Sequence, residues 1–326
     1  MKGIIIEKNG TIFENKLVTN LSKPRPENNE ILVEIYYGGL NFADLMMRNG
    51  TYPHPKGYPL AAGIEFSGIV VECGSGVKSI SVGDRVAGFS EGAGAFSEFI
   101  CIEESLVVEL HKDLKLEDGA AYFVQTSTAY HLLHTISDIT KNSFVLIHAI
   151  GGGVGLNLVQ LAKIAGATVF GTVGTAGKEQ KALDCGADLV INRNEKEFVK
   201  EISQNFGKNC IELAIDSTGA EVLDKTFMLM KNLGHIVSYG EASGPPYSNL
   251  WSRLVSKSLT FSRLHIGHID SKSTAWKQAH KILQGLIIQN KLRLFIENIL
   301  PLDDFQTAYQ NLESRKVSGK ILLKLK

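Results

Sequence analysis

From about residue 143 the chain alternates short β-branched runs with stretches whose apolar positions recur at helical spacing. The runs are SFVLIHA (143–149), ATVFGTV (167–173), ADLVIN (187–192), IELAID (211–216), GHIVSYG (234–240) and SLTFSR (258–263). Between them lie helical segments such as LNLVQLAKIAG and AEVLDKTFMLMKN. Six strands joined by crossover helices predict a parallel, doubly wound nucleotide-binding domain.

The first 120 residues read differently. Strands such as EILVEIYY and SGIVVEC alternate with Gly and Pro turns, the pattern of an irregular β-barrel. After residue 265 come a long helix at about 273–289, a shorter one near 303–313, and a last strand, GKILLKL. A lone terminal strand needs a sheet to join, and the N-terminal barrel is the expected one. The expected organisation is therefore a catalytic domain of residues 1–124 and 266–326, interrupted by a dinucleotide-binding domain of residues 125–265, with a cleft between the two.

Composition narrows the function. The chain has 326 residues, 44% apolar and 21% charged, enough for about two domains of roughly 150 residues each. Lys plus Arg equal Asp plus Glu at 34 each, so no basic field points to nucleic acid. The N-terminal MKGIIIEKNGTIF is too short in apolar residues for a secretory segment, and no stretch approaches the ~20 needed to span a membrane. A cytoplasmic protein is expected. Cys73, Cys101, Cys185 and Cys210 are scattered, with no CxxC pair. They read as reduced structural thiols rather than a disulfide framework, a zinc ribbon or a redox pair.

The turn after the first run of the nucleotide domain is HAIGGGVGLN (148–157). Gly151, Gly152, Gly153 and Val154 form the loop that approaches a pyrophosphate, Gly155 permits close helix-on-strand packing, and the following helix offers its N-terminus to the anion. Ile150 stands where the first Gly of G-x-G-x-x-G is expected. An NAD site needs an acid at the end of the second strand, yet here that strand runs into GTVGTAGKEQ (171–180). Gly174 and Thr175 follow it, Lys178 offers a cation, and Arg193 follows the third strand in VINRNE. That set fits a 2′-phosphate, so the expected cofactor is NADPH.

The chain as a whole resembles the zeta-crystallin-like quinone oxidoreductases, a zinc-free branch of the medium-chain dehydrogenase/reductase superfamily. The resemblance rests on LNFADLMMRNGTYP (40–53), GIEFSGIVVECGSGV (63–77), VGDRVAGF (82–89), HAIGGGVG, GTVGTAGK, DSTG (216–219) and the terminal SGKILL. It implies an α/β fold: a GroES-like irregular β-barrel catalytic domain plus a doubly wound six-stranded Rossmann domain. It also implies that Asn41 contacts the nicotinamide ribose, that Thr128 contacts the nicotinamide amide, and that Ser217, Gly240, Phe261, Arg263 and Lys320 complete the cofactor site. It places Asp44 near the reacting face; Tyr52, in the RNGTYP turn after the Asn41 segment, is the expected proton donor or ring-stacking residue there, the alternative being that it packs the turn beside Pro53. Two positions depart from the family pattern, which often has Tyr where Arg193 stands and an aromatic where Met46 stands.

Zinc members of the superfamily place a His before the Glu of a GHE motif, and here the residues are Gly63-Ile64-Glu65. The closely spaced cysteines of a structural zinc lobe are also missing, so no metal is expected. Glu65 and Asp84 read as buried or turn-stabilising carboxylates, His131 and His134 as structural, and His54 as a turn residue beside prolines or a lining of the substrate mouth. The expected activity is hydride transfer from NADPH to a quinone or other activated conjugated carbonyl, by a homodimer. Three alternatives remain: an enoyl-thioester or acrylate reductase, including an enoyl-reductase domain of a polyketide synthase; a non-catalytic, crystallin-like binding role; and a vesicle-membrane relative, for which no anchor or polybasic patch speaks.

Overall fold

In a computed structural model, residues 1–11, 14–52, 57–244 and 249–326 are described, which leaves His54 outside. The chain divides into two units, Met1–Val124 with Asp270–Lys326, and Gln125–Ile269.

In the first unit, β1 (Gly3–Ile6) pairs with β2 (Asn15–Val18). The long β3 (Glu30–Leu40) follows, with Ile31, Val33 and Ile35 at 0% exposure. Its end turns directly into α1 (Phe42–Asn49), which stops at Gly50, a residue at φ 72 where a side chain would be strained. A short β4 (Leu60–Ala61) closes on β1. The barrel strands β5 (Glu65–Cys73), β6 (Arg85–Phe89), β7 (Phe99–Glu103) and β8 (Val107–Glu109) pair antiparallel, with β5 and β7 both on β3. Helix α2 (Leu116–His134) then contains the division between the units.

The second unit runs β9 (Phe144–His148), α3 (Gly153–Ile164), β10 (Thr168–Val173), α4 (Glu179–Asp184), β11 (Leu189–Asn192), α5 (Phe198–Phe206), β12 (Ile211–Asp216), α6 (Ala220–Leu229), β13 (Met230–Ser238), α7 (Leu250–Val255) and β14 (Thr260–Arg263). Its strands lie in the order β11-β10-β9-β12-β13-β14, and every pairing is parallel. The order reverses between β9 and β12, so the crevice for a ligand lies beyond their carboxyl ends. Leu146, Phe170, Ile211 and Ile236 of the strands and Ile202 and Leu223 of the helices, all at 0% exposure, form one core.

The expected helix AEVLDKTFMLMKN ends sooner than its pattern implies. Met230 is drawn into the core and already pairs with Ile211, and the extra residues are absorbed where the register jumps to Leu213 and His235, with Leu233 at φ 63.

The chain returns to the first unit with α8 (Thr274–Ile288), an unforeseen β15 (Ile296–Pro301), α9 (Phe305–Glu313) and β16 (Lys320–Lys324). The closing strand joins the barrel, pairing antiparallel with β3 (Ile321 with Leu40) and parallel with β15.

Candidate active site

In the second unit most of the candidate residues gather at the carboxyl ends of the strands. β9 ends at His148, and the turn leads to Gly152, the N-cap of α3, which brings no capping side chain. The first-turn N–H groups and the positive end of the helix are thus left for an anion. A Cβ on Gly155 would lie 2.5 Å from the Ile150 carbonyl oxygen, so close helix-on-strand packing requires glycine there. Ile150 itself is fully buried, and a Cβ on Gly171 of β10 would lie 2.2 Å from its Cδ1. The chain therefore accepts Ile in place of the first glycine because the neighbouring strand supplies one opposite. Gln125 of α2 lies against Gly153, and Thr126 bonds Asn157 at 3.1 Å, whose amide donates to the Gly153 carbonyl at 2.8 Å. Thr128 is buried further along the same helix.

The two cations are placed by the same glycines. A Cβ on Gly151 would lie 2.7 Å from the Lys178 Cβ, and one on Gly174 would lie 2.6 Å from Arg193 Nη2. Lys178 and Arg193 thus lie across side-chain-free backbone after β9 and β10, with half-buried Thr175 three positions before Lys178. This cradle, with an uncapped helix end and two cations, fits a dinucleotide carrying a 2′-phosphate. Arg193 Nη1 donates to Thr172 Oγ1 at 3.3 Å, and the Arg193 N–H donates to the Val173 carbonyl at 3.0 Å.

After β12, Asp216 accepts the N–H groups of Thr218 and Gly219 at 3.0 and 2.9 Å. Burial lifts its carboxyl to about 6, against the lowering effect of those bonds and of Arg193 and Arg263. Ser217 and Gly240 adjoin, since a Cβ on Gly240 would lie 3.2 Å from the Ser217 carbonyl. Arg263 is exposed and donates to Ser238 at 3.1 Å and to Glu241 at 2.6 Å. Phe261 is half-buried against the core.

In the first unit a buried polar knot forms around Asn41. The Lys320 ammonium donates to Asn41 Oδ1 at 2.7 Å and to Glu65 Oε2 at 2.5 Å. Since an ammonium can only donate, Asn41 presents its oxygen to Lys320, and its amide donates to Glu65 Oε2 at 2.9 Å and the Gly39 carbonyl at 3.0 Å. The other oxygen of Glu65 accepts the Val124 N–H at 2.7 Å. Gly39 is required at this point, because a Cβ would sit 2.3 Å from the Ala120 carbonyl oxygen. Asp44 caps α1 from its first turn, Oδ2 accepting the Asn41 N–H at 2.7 Å. Burial pushes its carboxyl up to about 7, opposed by the Asn41 bond and the charge of Lys320 and reinforced by Glu65. Tyr52 is half-buried just beyond the Gly50 turn.

Glu65 proves more central than a generic buried carboxylate, because it joins Asn41 to Lys320. The available signal was a carboxylate inside the apolar GIEFSGIVV, which has to find a partner. His148 and Thr172 were not singled out from sequence, although a His ending the apolar VLIHA is the same kind of signal. Among the described residues, His131 and His134 belong to no group able to hold a metal ion. Burial holds both imidazoles below their usual range, His131 at about 4. Burial likewise raises the thiols of Cys73, Cys101 and Cys210, which disfavours the reactive thiolate.

Two family profiles match the chain: Alcohol dehydrogenase GroES-like domain over residues 27–112 and Zinc-binding dehydrogenase over residues 153–285. The chain is 35% identical to quinone oxidoreductase 1 of Escherichia coli over 302 residues, covering 91% of this chain and 92% of that protein. It is 30% identical to 2-haloacrylate reductase of a Burkholderia species, with 87% of each covered. The crystal structure of Escherichia coli quinone oxidoreductase complexed with NADPH superposes with a TM-score of 0.94 at 34% identity, covering all of both chains. With such identity sustained over nearly the whole of both proteins, the chain belongs to the quinone oxidoreductases, the zinc-free branch of the medium-chain dehydrogenase/reductase superfamily.

Proposed function

We propose that this chain is an NADPH-dependent reductase of quinones and related conjugated carbonyls, working as a cytoplasmic homodimer. The observation that carries the reading is the placement of Lys178 and Arg193 across Gly151 and Gly174, with no acid at the end of β10. The relatives support it: Escherichia coli quinone oxidoreductase was solved with NADPH, as was a mycobacterial protein of TM-score 0.93 and 30% identity.

NADPH, when bound, supplies the hydride. Gly152, Gly153 and Val154 at the start of α3 hold the pyrophosphate, Lys178 and Arg193 hold the 2′-phosphate with Thr175 beside them, and Ser217, Gly240, Phe261 and Arg263 border the rest of the cofactor. The family resemblance assigns Asn41 to the nicotinamide ribose and Thr128 to the nicotinamide amide. Lys320 and Glu65 fix the amide of Asn41, and Asp44 fixes its backbone, so these three are positioning residues. Tyr52 is the candidate for stacking on the acceptor or donating a proton to it. A quinone needs little from the protein after hydride transfer, because the hydroquinone anion is stable and takes its proton from water.

Among the described residues no helix is long and apolar enough to cross a membrane. The second reading, an acrylate-type or enoyl-thioester reductase, is favoured by the Burkholderia relative. Steady-state NADPH oxidation against quinones, enones and enoyl thioesters decides between the two: a kcat/KM highest for quinones supports the first, and one highest for enoyl thioesters overturns it.

A further inference from the structure

The carboxyl end of β9 holds a hydrogen-bond chain that ends on Arg193. Buried His148 lies between two threonines, Nε2 at 2.7 Å from Thr226 Oγ1 and Nδ1 at 2.8 Å from Thr172 Oγ1. Burial, reinforced by the charge of Arg193, holds the imidazole at about 3, so it is neutral and has one donor and one acceptor nitrogen. Thr226 Oγ1 also donates to the Val222 carbonyl at 2.8 Å, which uses its single proton, so it accepts from His148 Nε2–H. Nδ1 is then the acceptor, and the Thr172 hydroxyl donates to it. Its oxygen is left to accept from Arg193 Nη1 at 3.3 Å. In the opposite tautomer Thr172 would accept from both neighbours and its own proton would have no place in the chain.

We propose that Thr226, His148 and Thr172 form a one-directional relay that positions the Arg193 guanidinium for the 2′-phosphate of the cofactor. The proposal rests on the reading of Arg193 as a phosphate ligand and adds what holds it there. Arg193 crosses the backbone of Gly174, and a long cation recognises phosphate well only when its fork is held in one orientation. Thr172 supplies that hold. It faces the Arg with lone pairs because His148, inside the sheet, takes its proton.

The test is the affinity of the whole chain for 2′,5′-ADP, which carries the phosphate, against 5′-AMP, which lacks it, measured by calorimetry. Thr172→Val should weaken 2′,5′-ADP about tenfold, the loss expected when one charge-assisted contact is no longer held in place, and leave 5′-AMP within about twofold. Thr172→Ser, which keeps the hydroxyl, should restore the affinity. Thr172→Val combined with Arg193→Leu should be no weaker than Arg193→Leu alone, since the threonine acts through the arginine. If Arg193→Leu weakens 2′,5′-ADP and Thr172→Val does not, the relay is wrong while the reading of Arg193 stands. If Arg193→Leu leaves 2′,5′-ADP binding unchanged, that reading fails and the relay with it.

Discussion

Lys320 Nζ lies 2.5 Å from Glu65 Oε2, although the two residues are 255 positions apart in the chain and neither side chain is more than 1% exposed. The pair ties the closing strand β16 to the start of β5 and clamps Asn41 between them. Removing one partner leaves the other charge buried without compensation. Lys320→Met should therefore destabilise the first unit by about 3 to 5 kcal/mol, and Glu65→Gln with Lys320→Met should recover much of that loss. Urea unfolding of the single and double variants measures it, and a double variant as unstable as Lys320→Met alone would contradict this account.

Asp44 makes a prediction in pH. Its carboxyl is raised from 3.8 to about 7, so the folded state holds the proton more tightly than the unfolded chain. Stability from this group is present below about pH 4 and is lost as pH rises through 7, a difference of about 4 kcal/mol for a shift of this size. Asp44→Asn keeps an acceptor for the Asn41 N–H and removes the titration. The stability of the wild type relative to Asp44→Asn should therefore fall between pH 4 and pH 8. A difference that stays flat over this range would show that the carboxyl does not titrate there.

The nucleotide unit was legible because its information is local. Each strand is an apolar run, and the glycine turn lies between one such run and a helix. What could not be read depends on residues that meet only in space. Ile150 looks like a defect in the glycine motif until Gly171 is seen facing it from β10, 21 positions on. Glu65 and Lys320 are unremarkable singly, and no spacing rule joins them. Helix α6 stops early because Met230 gains more from the core than its helical pattern can show. β15 was missed because IENILP is mostly exposed, with no buried position, and becomes a strand by pairing with β16.

Cofactor preference follows from the two cations beside the glycine turns. Two charge-assisted contacts to a 2′-phosphate, each worth about 1.5 to 3 kcal/mol, imply a preference for NADPH over NADH of roughly a hundredfold or more in kcat/KM. Lys178→Ala should cut that preference by about tenfold or more while changing NADH kinetics little. Equal kcat/KM for the two cofactors in the wild type would refute the assignment.

Metal independence is the next expectation. Ile64 stands where zinc members carry a ligand, and Glu65 beside it is engaged by Lys320, Asn41 and the Val124 N–H rather than by a cation site. Dialysis against a chelator should leave kcat unchanged. Elemental analysis finding one zinc per chain, with activity lost on its removal, would reverse the expectation.

The identity of the acceptor comes down to whether the site must deliver a proton. Hydride transfer to a quinone leaves an oxyanion that is stable and protonated by water, whereas hydride transfer to an enoyl thioester leaves charge that needs a donor at the α-carbon. Tyr52 is the candidate, half-buried and just past the Gly50 turn that ends α1. Tyr52→Phe keeps the ring for stacking and removes the proton, so a quinone reductase should retain most of its kcat. A fall of about a hundredfold, the lower range for loss of a general acid, would instead favour the enoyl-type reading. Tyr52→Ala separates the ring from the hydroxyl: if the acceptor stacks on the ring, KM for the quinone should rise while kcat changes little, and kinetics identical to wild type would remove Tyr52 from the site.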